Sequence, residues 1–223
     1  MTKKAKRRAQ RPLPVRVVTR KDGRLALEVA NVTQSVTLPE DESAPLDGYW
    51  PLMLPERCSR RALLLGLGGG TLAALLARRC PGVAIVGIER NTQVLVVARR
   101  ELGLDALVGL EVVEADAFAW VEEHALTEPA SFDLICLDLF EGGRLAQGAL
   151  ARPFLRQVAT LLEADGIVTV NLMRTARLPE QLHRLESVLT IDRQMRLWGN
   201  AVLHLSVPAA SNESQALSSP AVH

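Results

Sequence analysis

The chain is poor in aromatic residues, with three tryptophans, one tyrosine and four phenylalanines among 223 residues. It also lacks any apolar run approaching the roughly 20 residues of a membrane-spanning helix, so no membrane partner is expected. The basic opening MTKKAKRRAQR is not followed by the apolar stretch of a secretory signal. There are three cysteines, Cys58, Cys80 and Cys136, with neither a CxxC pair nor metal-ligand spacing. An odd, scattered set argues against a disulfide framework. The sequence predicts reduced core cysteines in a cytoplasmic protein, and no bound metal.

Acidic residues are missing from the first eleven positions, which hold six of the 26 basic residues. The remainder, with 20 basic against 25 acidic residues, carries a net charge of about −5. Such a tail could meet nucleic acid or an anionic surface. The body shows no basic stripe with interleaved aromatics, so the expectation is a disordered, solvated tail and no nucleic-acid partner.

What is present is an ordinary globular composition, 48% hydrophobic and 23% charged. Four segments are expected. Residues 1–12 form the disordered basic tail, 13–57 an N-terminal β flap, 58–208 a nucleoside-binding domain, and 209–223 a second disordered tail. In the flap, PVRVVT and RLALEVA alternate apolar and polar residues around Asp22-Gly23, a hairpin signal, and NVTQSVTL could add a third strand. About 40 residues cannot build a sturdy core alone, so the flap must pack on the larger region or on another subunit. PLDGYWPLML reads as a turn and a short apolar helix or loop. From Cys58 onward, strand-like runs such as ALLLGL, VAIVGIE and FDLICLDLF alternate with helix-like segments. That order predicts an α/β doubly wound, mostly parallel sheet covered on both faces. The last two runs, IDRQMRLW and AVLHLSV, join through Gly199-Asn200, which suggests an antiparallel strand at one end of the sheet. Asn91 and Asp116 are expected as helix N-caps. His124, His183 and His204 have no partner motif and are read as structural or surface residues.

LLLGLGGGTLAALL holds Gly66, Gly68, Gly69 and Gly70 between a buried strand and a helix. Such a turn removes Cβ atoms and lets a nucleotide-like ligand reach backbone N–H groups. The dinucleotide fingerprint requires a third glycine where Thr71 stands, whereas Gly66-x-Gly68-x-Gly70 is the arrangement of S-adenosylmethionine sites. Acidic residues follow at successive strand ends. Glu89 in VGIER suits a ribose and Asp116 with Ala117 in EADAF suits an adenine. Asp138 in FDLICLDLFEGG suits the reacting end of a cofactor. Glu89 alone would serve NAD as well; four features in register, one per strand, favour an adenosyl-sulfonium.

These motifs, with LLEADGIVTVNL, span roughly Arg61 to Met173. They resemble the spermidine synthase-like group within the class I AdoMet-dependent transferase superfamily. The resemblance implies a Rossmann-like seven-stranded sheet with an antiparallel edge strand, a β-hairpin flap and a homodimer. It places Gln34, Gly66, Gly68, Gly70, Glu89, Asp116 and Ala117 around S-adenosylmethionine or decarboxylated S-adenosylmethionine. Asp138 becomes the catalytic residue that orients an amine, and Glu141 falls at the second acid of the same loop. Tyr49 and Trp50 are candidate substrate walls.

The chain departs from that pattern at Gly69, where the group has an Asp that binds the amine of decarboxylated AdoMet. It also departs at Trp50 and Pro51, where the group has His and Glu. A glycine with free N–H groups tolerates the carboxylate of intact AdoMet, which leans towards methyl transfer over aminopropyl transfer to a small amine. The alternatives are a true polyamine aminopropyltransferase and a non-catalytic nucleoside-binding homologue.

Overall fold

A computed structural model describes residues 13–41 and 44–208. Both expected tails, 1–12 and 209–223, therefore lie outside the described residues. The turn Asp22-Gly23 joins β1 (Val15–Thr19) to β2 (Leu25–Val29), with the Asp22 carboxylate accepting from the Arg24 N–H. Ala30 and Asn31, both at positive φ, turn β2 into β3 (Val32–Val36), the third strand that the sequence allowed. The three strands form an antiparallel meander in the order β1-β2-β3.

After α1 (Trp50–Met53) the chain alternates: β4 (Arg61–Leu65), α2 (Thr71–Arg79), β5 (Ala84–Glu89), α3 (Thr92–Glu101), β6 (Leu110–Glu114), α4 (Ala117–Thr127) and β7 (Phe132–Leu137). A small hairpin, β8 (Phe140–Glu141) and β9 (Arg144–Leu145), precedes α5 (Arg152–Leu161). Then come β10 (Leu162–Met173), α6 (Leu178–Glu186), β11 (Thr190–Leu197) and β12 (Asn200–Ser206). The seven-stranded sheet runs β6-β5-β4-β7-β10-β12-β11. β12 is antiparallel to both its neighbours, and the other six strands share one direction. The antiparallel strand thus stands second from the end, wedged between β10 and β11. The hairpin into it turns on Trp198-Gly199, one residue earlier than the Gly199-Asn200 expected, because Asn200 already pairs with Met173 of β10.

The sheet has a packed layer on each face. Trp120, Phe132, Phe154, Leu155 and Leu185 lie on one side, beneath α4, α5 and α6. Leu27, Val36, Trp50, Met53, Leu64, Leu76 and Leu95 lie on the other. The second layer mixes residues of the meander, α1, α2, α3 and the sheet, so the flap shares a core instead of owning one. Its docking is polar as well as apolar. The Thr71 hydroxyl accepts the Val36 N–H and donates to the Val36 carbonyl, both at 2.7 Å. The Ser35 hydroxyl accepts the Gly69 N–H at 2.6 Å. Thr71 occupies the place that a dinucleotide fingerprint reserves for glycine, and here its side chain grips the flap.

The cysteine expectation fails for two of the three residues. Cys58 and Cys80 form a disulfide, with Cα atoms 5.3 Å apart, and Cys136 is free and buried. The cause is topological: a right-handed crossover returns the end of α2 to the base of β4, which places two residues 22 apart side by side.

Thr71→Val keeps the shape but leaves the Val36 N–H and carbonyl unpaired in a buried setting. It lowers the unfolding free energy by about 1–3 kcal/mol in urea titration. Cys58→Ser opens a closed loop of 22 residues. On chain entropy it lowers stability by about 3 kcal/mol relative to the oxidised protein, read in the same titration.

Candidate active site

The carboxyl ends of β4, β5, β6 and β7 meet at one pocket. Gly66 follows β4 at φ +94°, and a Cβ there would collide with the backbone carbonyl of Asp138. Only glycine lets the loop after β4 pass the loop after β7 at this distance. Gly70, also at positive φ, opens α2 as its N-cap.

Each acidic residue of the strand ends has a defined partner. Glu89 braces the glycine loop: its Oε2 accepts the Gly68 N–H at 3.0 Å and its Oε1 the Asn91 N–H at 2.8 Å. Asp116 caps α4, its Oδ1 accepting from the N–H groups of Phe118 and Ala119. Its Oδ2 lies 3.8 Å from Arg90. Arg90 also reaches across to Glu141 of β8 at 2.5 Å. Asp138 follows the central strand β7. The Tyr49 hydroxyl donates to its Oδ2 at 2.5 Å and the Asn171 side-chain amide donates to its Oδ1 at 2.9 Å. Asn171 in turn accepts from the Asn200 amide at 2.9 Å.

Burial dominates the electrostatics here. It lifts the Asp138 carboxyl above the usual carboxylate range, although the hydrogen bonds from Tyr49 and Asn171 pull the other way. Burial, then the Asp138 charge, holds the Tyr49 phenol well above its ordinary value. The Cys136 thiol is pushed up to about 12 by burial, despite the hydroxyl of Thr169 donating to its sulfur. That thiol is inert at neutral pH.

Gln34, Gly66, Gly68, Glu89, Asp116, Ala117 and Asp138 all line the pocket, as do Trp50 and Glu141. Gly70 and Tyr49 stand behind the lining. Gly70 is packed under Leu104, and Tyr49 reaches the site through Asp138, with its ring 4.9 Å from that of Trp50. One argument from sequence is overturned. The Gly69 N–H is not free for a ligand carboxylate, because Ser35 takes it, and a Cβ at position 69 would lie 2.9 Å from the Ser35 Cβ. Among the described residues no cluster of His, Cys, Asp and Glu could hold a metal ion, and no helix is long and apolar enough to cross a membrane. His124 stacks on Trp120 and His204 bonds the Leu52 carbonyl, both packing roles.

Four site residues escaped the sequence reading: Ser35, Arg90, Asn171 and Asn200. Asn171 carried a signal, being the one amide in the apolar run IVTVNLM. Ser35, Arg90 and Asn200 carried none, since each acts across a distance in sequence.

Residues 60–213 match a family model described as a methyltransferase domain. The polyamine aminopropyltransferase of Vibrio vulnificus (strain CMCP6) is 28% identical over 118 residues, 53% of this chain and 39% of that protein. The ubiquinone biosynthesis O-methyltransferase of Neisseria meningitidis (serogroup A, strain Z2491) is 35% identical over 125 residues, 55% of this chain and 46% of its own. Each match covers less than half of the curated relative's length. Among solved structures, a probable spermidine synthase from Corynebacterium glutamicum ATCC 13032 has a TM-score of 0.71 at 18% identity, over 86% of this chain and 76% of that one. That likeness concerns the fold. Human methyltransferase-like protein 13, solved with SAH, has a TM-score of 0.58 at 25% identity, over 72% and 75% of the two chains. With a family match over most of its length, the chain belongs to the methyltransferase-domain family and is an AdoMet-dependent transferase.

Proposed function

We propose that the protein binds S-adenosylmethionine in the strand-end pocket and transfers its methyl group to a small-molecule amine. The observation that carries this reading is the convergence of Gly66, Gly68, Glu89, Asp116, Ala117 and Asp138 on one cavity. The residues fit the cofactor. Gly66 and Gly68 present backbone without Cβ atoms. The Glu89 carboxylate retains lone pairs for ribose hydroxyls beyond its two backbone bonds, and Asp116 and Ala117 line the wall for the adenine. When bound, the cofactor supplies a methyl carbon activated by the neighbouring sulfonium.

The protein's own residues do the rest by alignment and electrostatics. Asp138 receives the amine N–H, orients its lone pair and takes the proton as the new bond forms. Tyr49 holds the other side of that carboxylate, and Trp50 supplies an apolar wall that excludes water.

Methyl transfer is favoured over aminopropyl transfer by how the acids are already engaged. Glu141 is paired with Arg90, and Asp116 lies beside the same guanidinium. A diamine carrying two positive charges would find few unpaired carboxylates. At position 69 there is neither an acid nor room for one beside Ser35. A second reading, aminopropyl transfer, is favoured by the named relatives of that activity.

Calorimetry with S-adenosylhomocysteine, methylthioadenosine and NADH separates the readings. S-Adenosylhomocysteine is expected to bind. Methylthioadenosine binding without it would transfer the assignment to aminopropyl chemistry, and NADH binding alone would end both. Asp138→Asn is expected to keep nucleoside binding while turnover on amines drops by about 100-fold or more. Cofactor binding with no turnover on any amine would point to a non-catalytic homologue.

A buried base also has a thermodynamic signature. The folded Asp138 carboxyl sits above its unfolded value, so its contribution to stability is fully present in acid and is lost as pH rises through its folded value. Asp138→Asn therefore raises the melting temperature at neutral pH, and the gain shrinks as the pH falls into the ordinary carboxylate range. Differential scanning calorimetry across pH reads this directly.

A further inference from the structure

We propose that Asn171 and Asn200 are positioning residues that lock the Asp138 carboxylate into one orientation at the acceptor side of the pocket. The role given to Asp138 rests on the transferase reading; the geometry that holds it does not.

Asn171 is buried within β10, 2% exposed, and its amide has two unlike ends. Turned one way, its NH2 group donates to Asp138 Oδ1. Turned the other way, its oxygen would face a carboxylate oxygen, which is repulsive. Asn200 decides between them. Its amide donates to Asn171 Oδ1 at 2.9 Å, so the oxygen is held towards β12 and the NH2 group towards Asp138. Each Asp138 oxygen then has one protein donor, Asn171 on Oδ1 and Tyr49 on Oδ2, with lone pairs left for an incoming N–H.

A second observation points the same way. Asn200 is the first residue of β12, and the residue two before it, Trp198, adopts φ +46°. A bulky side chain rarely enters that left-handed region, and such strain gathers where the chain is constrained for function. The Trp198-Gly199 turn is clamped by Arg174, whose backbone N–H donates to the Gly199 carbonyl at 2.7 Å and whose guanidinium donates to the Trp198 carbonyl at 2.8 Å. The clamp sets the register that pairs Asn200 with Met173 and brings its amide to Asn171. The reversed strand between β10 and β11 thus delivers a side chain to the site that a strand running the other way would begin at the far end of the sheet.

The test follows the titration of Asp138 in the full-length, ligand-free protein by NMR of 13C-labelled aspartate carboxyls, the Asp138 signal being the one lost in Asp138→Asn. Among the described residues, the titratable groups that interact with this carboxyl are the Tyr49 phenol, at the N-cap of α1, and the Cys136 thiol of β7, while Glu89, Arg90 and Glu141 line the same pocket. β10 contributes only the uncharged Asn171 and Thr169. Asn171→Leu removes the donor, and Asn200→Ala removes only the group that orients it. Both are expected to move the Asp138 midpoint upward, Asn171→Leu by more. A purely packing role for Asn200 leaves the Asp138 midpoint where it was. An unmoved midpoint in folded Asn200→Ala overturns the proposal, and should Asn171→Leu not fold, Asn200→Ala decides alone. S-Adenosylhomocysteine binding to the unmutated protein is scored separately. Binding with an unmoved midpoint rejects the positioning role and keeps the transferase reading; a shifted midpoint without binding does the reverse.

Discussion

One hydroxyl group ties the molecule together. Thr71 stands at the start of α2 and pairs with both backbone groups of Val36, so the flap and the glycine loop are held as one unit. Ser35, the neighbouring flap residue, takes the Gly69 N–H. These contacts define the roof of the pocket, because Gln34 and Ser35 line it from the flap side. The same docking leads α1 onto the sheet and brings Tyr49, at its N-cap, to Asp138. Without the flap, the glycine loop would lose two polar anchors and Asp138 would lose the donor that most offsets its burial.

The second constraint is electrostatic. Placing a carboxylate at the end of a central, fully buried strand is unfavourable unless donors surround it. β7 is buried along its whole length, so whatever follows it inherits the dry environment. The fold answers from two directions, with Tyr49 from the flap side and Asn171 from β10. Near the pocket mouth the solution differs: Glu141 and Asp116 are half-exposed and share Arg90. The pocket is therefore lined by carboxylates whose charge the protein has largely matched itself.

Much of this was legible in the sequence. Continuous apolar runs bounded by glycine and acidic residues identify parallel strands and their carboxyl ends, which is where ligands of such sheets lie. Asn91 and Asp116 were readable as caps because their side chains bond their own local backbone. What could not be read depends on long-range placement. The Cys58–Cys80 pair needs the crossover to return. The Ser35–Gly69 bond spans 34 residues, and Asn200 finds Asn171 only after a strand reversal. The hairpin turn was misplaced by one residue because Trp198 takes a backbone conformation that residue preferences assign to glycine.

Gly69 matters in the structure for a reason that differs from the one its sequence suggests. Read as sequence, its value lay in an N–H left open for a carboxylate. In the structure that N–H is occupied, and the informative property is space: Ser35 and Leu102 crowd the position where a Cβ would project. An aspartate could enter only if the flap moved away, which the Thr71–Val36 pair opposes. The identity of residue 69 is thus coupled to the identity of residue 35, and this wall of the pocket is set by the flap as much as by the glycine loop. Exchanging Gly69 for Asp alone would strain the roof before it could create an amine-binding acid. A change of cofactor preference in this scaffold has to begin in the flap.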